Sequence, residues 1–278
     1  MNEVSKGARA ARVSLKWAIY LIVGLLLLGW LLNTPEGILG KADAIGYSVC
    51  HRIDGRSFHI GERQMPLCVR CTGQYLGAMI GLVFLSVVDK RKSGFPPKRV
   101  LVILGIFSLL YVIDGINSYL HLPFLMEAFP NLPRLYEPQH FLRLLTGSGL
   151  GVAIIALLFP VFNATVWRKW DGRRILGQLR WLFLLLMLVL FVDILALTEN
   201  SAVLYILALI SAGGVLILLT MVYTIVWVLL LQKVNQFERI SQMAFPLALG
   251  FGTSLLQIAL IDYARFALTG TWSGFIIG

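Results

Sequence analysis

The chain has 278 residues, of which 58% are hydrophobic and only 14% charged, with a mean hydropathy of +0.80 and a formal net charge of +10. Soluble domains carry about 25% charged residues, so this composition excludes an ordinary soluble globular protein. The basic residues fall in short clusters between apolar runs, without interleaved aromatics, which argues against a nucleic-acid partner.

A bilayer-crossing helix needs about 20 largely apolar residues. Seven such runs follow one another, at approximately 14–32, 72–88, 100–119, 141–162, 180–198, 203–231 and 243–268. Only helices and closed barrels satisfy their backbone groups in lipid. The expected fold class is therefore an all-α integral membrane protein, one helical membrane domain over residues 1–278. The first run follows the basic segment 1–13, within "MNEVSKGARAARVSLK", and "GWLLNTPEG" after it has no A-x-A-like cleavage site, so it reads as a retained signal-anchor. The fifth and sixth runs are joined only by "TENSA", a tight helical hairpin, and the sixth is long enough to tilt or to outrun the bilayer.

Charge sets the expected orientation, because inner loops are enriched in Lys and Arg. With the N-terminus inside, 16 of the 24 Lys and Arg residues lie on the inner side and 8 on the outer. The C-terminus then lies outside, and the inner charges face anionic membrane lipids. A multi-pass protein of a cytoplasmic membrane fits this reading.

That orientation puts residues 33–71 on the extracytoplasmic side, including "CHRIDGRSFHIGERQMPLCVRC" at 50–71. All three cysteines lie there, with His51, His59, Arg52, Arg56, Arg63 and Arg70. Arginine forks suit carboxylate or phosphate, so Arg52, Arg56 and Arg70 are candidate ligands for an anion, either a small acid or a lipid headgroup. His121 and His140 lie on the same side.

Helices three, five and seven each carry one aspartate late in an apolar run: Asp114, Asp193 and Asp262. A carboxylate at that depth should face the bundle interior and have a partner, and three repeats of one placement suggest a shared polar cavity. At helical spacing, Asp114, Asn117, Ser118 and His121 share one face; so do His140, Arg143 and Gly147, and Asp262, Arg265 and Thr269. Arg143 and Arg265 are then the expected counter-ions of the aspartates. Asp114, Arg143 and His51 are the candidate catalytic or proton-carrying groups. Asn117, His121, His140, Asp262 and Arg265 join the arginines as candidate ligand contacts.

"RCTGQYLG" and "RLLTGSGLG" share T-G-x-x-L-G shortly after an arginine, which hints at close helix packing and at a duplicated two-helix unit.

Two chemistries compete for the cysteines. Cys68-x-x-Cys71 with Cys50 supplies most of a Cys3His zinc site, His51 being the provisional fourth ligand and His59, His121 or His140 the alternatives. Adjacent residues tend to diverge, which counts against Cys50 and His51 sharing one ion. The rival is a thiol–disulfide exchange using Cys68 and Cys71, with Cys50 as resolving thiol. A cysteine at a helix start beside Arg70 should form a reactive thiolate, and "PLCVRC" resembles the Pro-Cys-x-x-Cys of quinone-linked disulfide-bond oxidases. Quinone would be the cofactor only in that case. No Walker loop, H-E-x-x-H or G-x-S-x-G occurs, which leaves ATP-driven pumping and serine or zincin proteolysis unsupported; a transporter and a non-catalytic subunit of a membrane complex are the further alternatives.

The run "CHRIDGRSFHIGERQMPLCVRCTGQYLG", with "DGINSYL" and "RLLTGSGLG", resembles the signature of a prokaryotic membrane-protein family catalogued as domain of unknown function 2085. The likeness covers roughly residues 47–152 and leaves 180–278 as additional helices. It implies a shared site around Cys50, His51, Cys68, Cys71, Asp114 and Arg143, and it implies no activity.

Overall fold

The computed structural model describes the chain path for residues 3–274 and side chains from Ser14 onward. The side chains of the basic segment 1–13 and the last four residues lie outside it. Among the described residues, seven helices are long and apolar enough to cross a membrane: Ser14–Asn33, Val69–Val88, Lys98–Leu120, His140–Val166, Leu179–Leu197, Ser201–Leu230 and Ile240–Thr269. The seven expected spans are therefore borne out, and their largest end error is at the fourth, which runs on to Val166.

In chain order the helices are α1 (Glu3–Asn33), α2 (Gly37–Val49), α3 (Val69–Val88), α4 (Lys98–Leu120), α5 (Pro123–Ala128), α6 (His140–Val166), α7 (Leu179–Leu197), α8 (Ser201–Leu230) and α9 (Ala244–Thr269). Hydropathy missed α2, because Gly, Lys and Asp dilute its apolar face. The α7–α8 hairpin turns tightly: Glu199 takes a left-handed φ of 52° and the Asn200 side chain accepts from the Ala202 and Val203 N–H groups, capping α8.

The centre of the bundle is the parallel pair α3–α6. A Cβ on Gly73 or Gly77 would overlap the Leu144 and Ser148 carbonyls, and a Cβ on Gly147 or Gly151 would overlap those of Arg70 and Gln74. Each T-G-x-x-L-G glycine thus meets the backbone three residues before its counterpart on the other helix. The duplication also extends past the helices. Short strands β3 (Lys92–Gly94), after α3, and β4 (Asp171–Arg174), after α6, pair parallel to each other, and each chain then returns through a span, α4 or α7. Span, strand and returning span occur twice.

α4 packs across on α6, and α7 packs on both α3 and α6, whereas α3 and α4 hardly approach each other although they are consecutive. α8 packs on α3 and α9, and α1 on α9. At one end of the bundle α2 and a hairpin of β1 (His59–Ile60) and β2 (Arg63–Gln64) close over these helices. All three cysteines lie at that end.

Candidate metal centre and its cavity

Cys68 precedes the first turn of α3, Cys71 lies within it, and Cys50 ends α2. Buried Leu67, together with Val215 of α8, packs against Cys50, and Cys68, Cys71 and Tyr75 border the same cluster. All three thiols are free, and their Sγ atoms lie within 4.8 Å of one another. Tetrahedral ligation at a Zn–S distance near 2.3 Å would place sulfurs roughly 3.8 Å apart, so modest contraction would seat an ion. Backbone N–H groups of Arg52 and Cys68 point at Cys50 Sγ, at 3.4 and 3.3 Å. Such donors favour an anionic sulfur and orient it. Arg52 adopts a left-handed φ of 52° to make its contact.

Hydrogen bonds from the Cys50 and Cys71 thiols hold Cys68 well below the ordinary thiol value, and Arg70 adds to this. The bond that Cys50 makes to Cys68, the first cause, and then burial push Cys50 up to about 12. A bare cluster therefore holds one thiolate readily, and further ionisation calls for a cation.

His51, expected as the provisional fourth ligand, does not join the sulfurs, because the side chains of the adjacent Cys50 and His51 diverge. It is exposed, and its Nε2 lies 3.2 Å from Tyr119 Oη. The other histidines are also engaged elsewhere. His59 pairs with Asp54 at 2.9 Å, His121 Nδ1 meets the Asn117 carbonyl oxygen at 2.8 Å, and His140 packs edge-on against Phe58. Among the described residues, the metal-capable group consists of the three cysteines alone.

Cys68 and Cys71 form part of the wall of a cavity of about 410 Å³, which Arg56, Arg70, Arg143, His51, Gln74, Tyr111 and Tyr119 also line. Arg70 donates from Nε and Nη2 to Asp114 Oδ2 at 2.9 and 2.5 Å, and from Nη2 to Ser118 Oγ at 2.7 Å. Asp114 is fully buried and accepts a further bond from Tyr136 Oη at 2.9 Å. Arg56 donates to the Ser118 carbonyl oxygen at 2.8 Å, and burial followed by the Arg70 charge lowers its pKa. Arg143 is only 7% exposed. Its Nε reaches Ser118 Oγ at 3.5 Å, and its two Nη groups have no hydrogen-bond acceptor among the described residues. The Arg143 side chain borders open space, so its Nη donors are available to a ligand in the cavity.

The shared aspartate cavity is overturned. Asp114 faces Arg70, Asp193 accepts from Ser148 Oγ at 2.7 Å between α7 and α6, and Asp262 accepts from Trp30 Nε1 at 3.1 Å between α9 and α1. Each late aspartate ties its helix to a different neighbour. The expected pairings with Arg143 and Arg265 also fail. Arg70 sits in the first turn of α3, opposite the Asp114–Ser118 face, and reaches Asp114 first. Arg265 donates to the Tyr47 and Cys50 carbonyls at 2.5 and 2.7 Å and lies over the Tyr47 ring, so it fastens the Cys50 segment. Asn117 likewise holds the 135–136 segment, through bonds to Leu135 N and the Tyr136 carbonyl.

Arg52 pairs with Asp43 at 3.0 Å, and the same carboxylate takes Arg63 at 2.6 Å. Asp43 on α2 was not singled out in the sequence, although an acid facing an arginine-rich loop is a readable signal. Arg52 also lines a second, wider cavity of about 710 Å³ with His121, His140 and Gln64. Arg56 and Arg143 border both cavities.

The expected family likeness is borne out over the segment that builds this site. Residues 50–157 match the family described as "Predicted membrane protein (DUF2085)". An uncharacterized protein of Methanocaldococcus jannaschii is 24% identical over 121 residues, covering 44% of this chain and 68% of that protein. An uncharacterized protein of Methanothermobacter thermautotrophicus is 28% identical over 109 residues, 38% of this chain and 83% of its own. No solved structure gives a significant match. Matched residues 50–157 take in the cysteines, Arg56, Arg70, Asp114 and Arg143, while α7, α8 and α9 lie beyond them.

Proposed function

We propose that this multi-pass protein of the prokaryotic cytoplasmic membrane holds a zinc ion through Cys50, Cys68 and Cys71 at its extracytoplasmic face, and there binds or processes a ligand bearing an oxyanion. The observation that carries the reading is the meeting of two features on one cavity: a cluster of three sulfurs, two of whose cysteines line the cavity, and the Arg143 guanidinium, whose Nη groups donate to no described residue. Three protein ligands with a fourth position toward a cavity is the arrangement of reactive zinc sites, whereas structural sites close all four. When bound, zinc supplies Lewis acidity at that position.

The chain's own residues would do the rest. Arg143 and Arg56 take the oxyanion, and a fork-shaped donor fixes its orientation. Arg70 adds positive potential while Asp114 holds it in place. His51, hydrogen-bonded to Tyr119 at the cavity edge, is placed to carry a proton. Arg265 and Arg52 secure the segment that presents Cys50.

Elemental analysis of the purified full-length protein, with thiol counting after denaturation without reductant, tests the reading. About one zinc and three free thiols are expected. A Cys68–Cys71 disulfide without metal would overturn it in favour of thiol–disulfide exchange, with Cys50 as resolving thiol and a quinone as electron acceptor. Reporter fusions in the 50–68 segment and at the C-terminus check the orientation; both should report outside.

A further inference from the structure

The metal-side cavity lies between α3 and α4, the consecutive helices that do not pack on each other. Its inner end holds Cys68, Cys71 and Arg143, with α6 behind. Its deep end is closed by a hydrogen bond from Tyr111 Oη to Gln74 Oε1 at 3.1 Å. Its other border is the α4 face with Val112 and Ile116, which are 51% and 58% exposed. Exposed apolar side chains in the middle of a spanning helix face acyl chains rather than water. Val112 lies eight residues inside the end of α4, about 12 Å along the axis, so the opening extends to hydrocarbon depth.

The opposite cavity has a different character. Arg52, Asp54, Gln64, His121 and His140 line it, polar groups at the loop end of the bundle where water reaches. Arg56 and Arg143 form the partition between the two.

We infer that the ligand is an anionic membrane lipid that enters sideways between α3 and α4, its phosphate on Arg143 and Arg56 and its chain leaving over Val112 and Ile116. This rests on the oxyanion site proposed above and names the class of molecule that fills it. A cleft with cations at its inner end and apolar residues at a lipid-facing mouth complements an amphiphile of that polarity. A free anion has no use for the mouth, and its route is the polar cavity on the far side of the partition.

Binding of dioctanoyl phosphatidic acid and of inorganic phosphate to the full-length protein in neutral-lipid nanodiscs separates these routes. The lipid should bind at least about tenfold more tightly than phosphate, the gain from burying a few methylene groups. Ile116→Trp, a filled mouth at a lipid-exposed position, should remove that advantage and leave phosphate binding within about twofold. Leu110→Trp, exposed elsewhere on α4, should change neither, and a single symmetric size-exclusion peak with the parent's helical circular dichroism reports that each variant is folded. Equal affinity for the two probes, or an Ile116→Trp protein that still prefers the lipid, overturns lateral entry while leaving the oxyanion site standing. Failure of both probes to bind, or an Arg143→Gln protein that binds both normally, overturns the oxyanion site and this inference with it.

Discussion

On one side of α3, Gly73 and Gly77 admit the α6 backbone until carbonyl oxygens fill the space a methyl would need. On its other side, Cys71, Gln74 and Tyr75 border a gap that α4 flanks without packing. Consecutive antiparallel helices joined by a short link are the usual neighbours, yet here the chain's next helix is held off. The difference follows from how helices associate in lipid. With no hydrophobic drive between them, close contact goes to the surface with the smallest residues. The duplicated glycines direct α3 to α6, and polar groups bridge the α3–α4 gap in place of packing. A dry seam on one face thus leaves room for a polar cavity on the other.

The seam should be the less tolerant side. Gly151→Val drives a branched side chain into the Gln74 carbonyl, backbone that has nowhere to move. A loss of about 4 kcal/mol is expected, beyond ordinary overpacking because both atoms are fixed by helices. Unfolding in mixed detergent micelles would measure it. A loss below about 1 kcal/mol would mean that the seam is not the anchor of the bundle.

Across the gap, the Arg70–Asp114 pair replaces packing, with side chains 13% and 1% exposed. Asp114→Asn leaves a buried guanidinium without its counter-ion and should cost about 3 kcal/mol. Because Asp114 touches no sulfur, zinc content should stay near that of the parent protein. If metal disappears along with stability, the pair and the cysteine cluster are one unit and the distinction drawn here fails.

Cys71→Ser acts the other way round. It should lower zinc affinity at least about tenfold, since loss of even a supporting partner of a metal ligand costs that much. The metal-free fold should lose only about 2 kcal/mol, because the α3–α6 seam does not depend on the ion. Zinc retention at parent affinity would remove Cys71 from the ligand set.

Sequence reading succeeded where the physics is one-dimensional. Hydropathy fixes the seven spans within a turn, and the T-G-x-x-L-G echo announces a close helix pair, because glycine spacing along a helix is itself the contact pattern. The gathering of Cys50, Cys68 and Cys71 was legible for the same reason: one short loop carries them all. Partner choice was not. Arg70 and Arg143 stand at nearly matching places in the two repeats, and only the rotation of α3 against α4 decides which of them reaches Asp114. Trp30 as the partner of Asp262 joins residues 232 apart and depends on α1 lying against α9. Helix α2 escaped notice because its core-facing residues include Gly40, Asp43 and Gly46, small or charged side chains that no hydropathy window marks as buried.

The smallest effect is expected at a glycine outside the seam, and it should have the opposite sign. Gly105 lies within α4, where a Cβ would meet nothing within 4 Å. Alanine there has no clash to make and gives up less backbone freedom on folding, so Gly105→Ala should stabilise by about 0.5 kcal/mol. Set beside Gly151→Val, and beside Gly77→Ala on α3, it separates two uses of glycine. If glycines serve this bundle by letting backbones touch, substitution hurts only where a carbonyl stands opposite, and Gly105→Ala raises the unfolding midpoint slightly. If they serve by keeping the helices pliable, Gly105→Ala and Gly77→Ala would both lower it by similar amounts. Equal losses at the two positions would break the comparison between seam and cleft, because the open side of α4 would then rely on glycine as much as the closed side of α3 does.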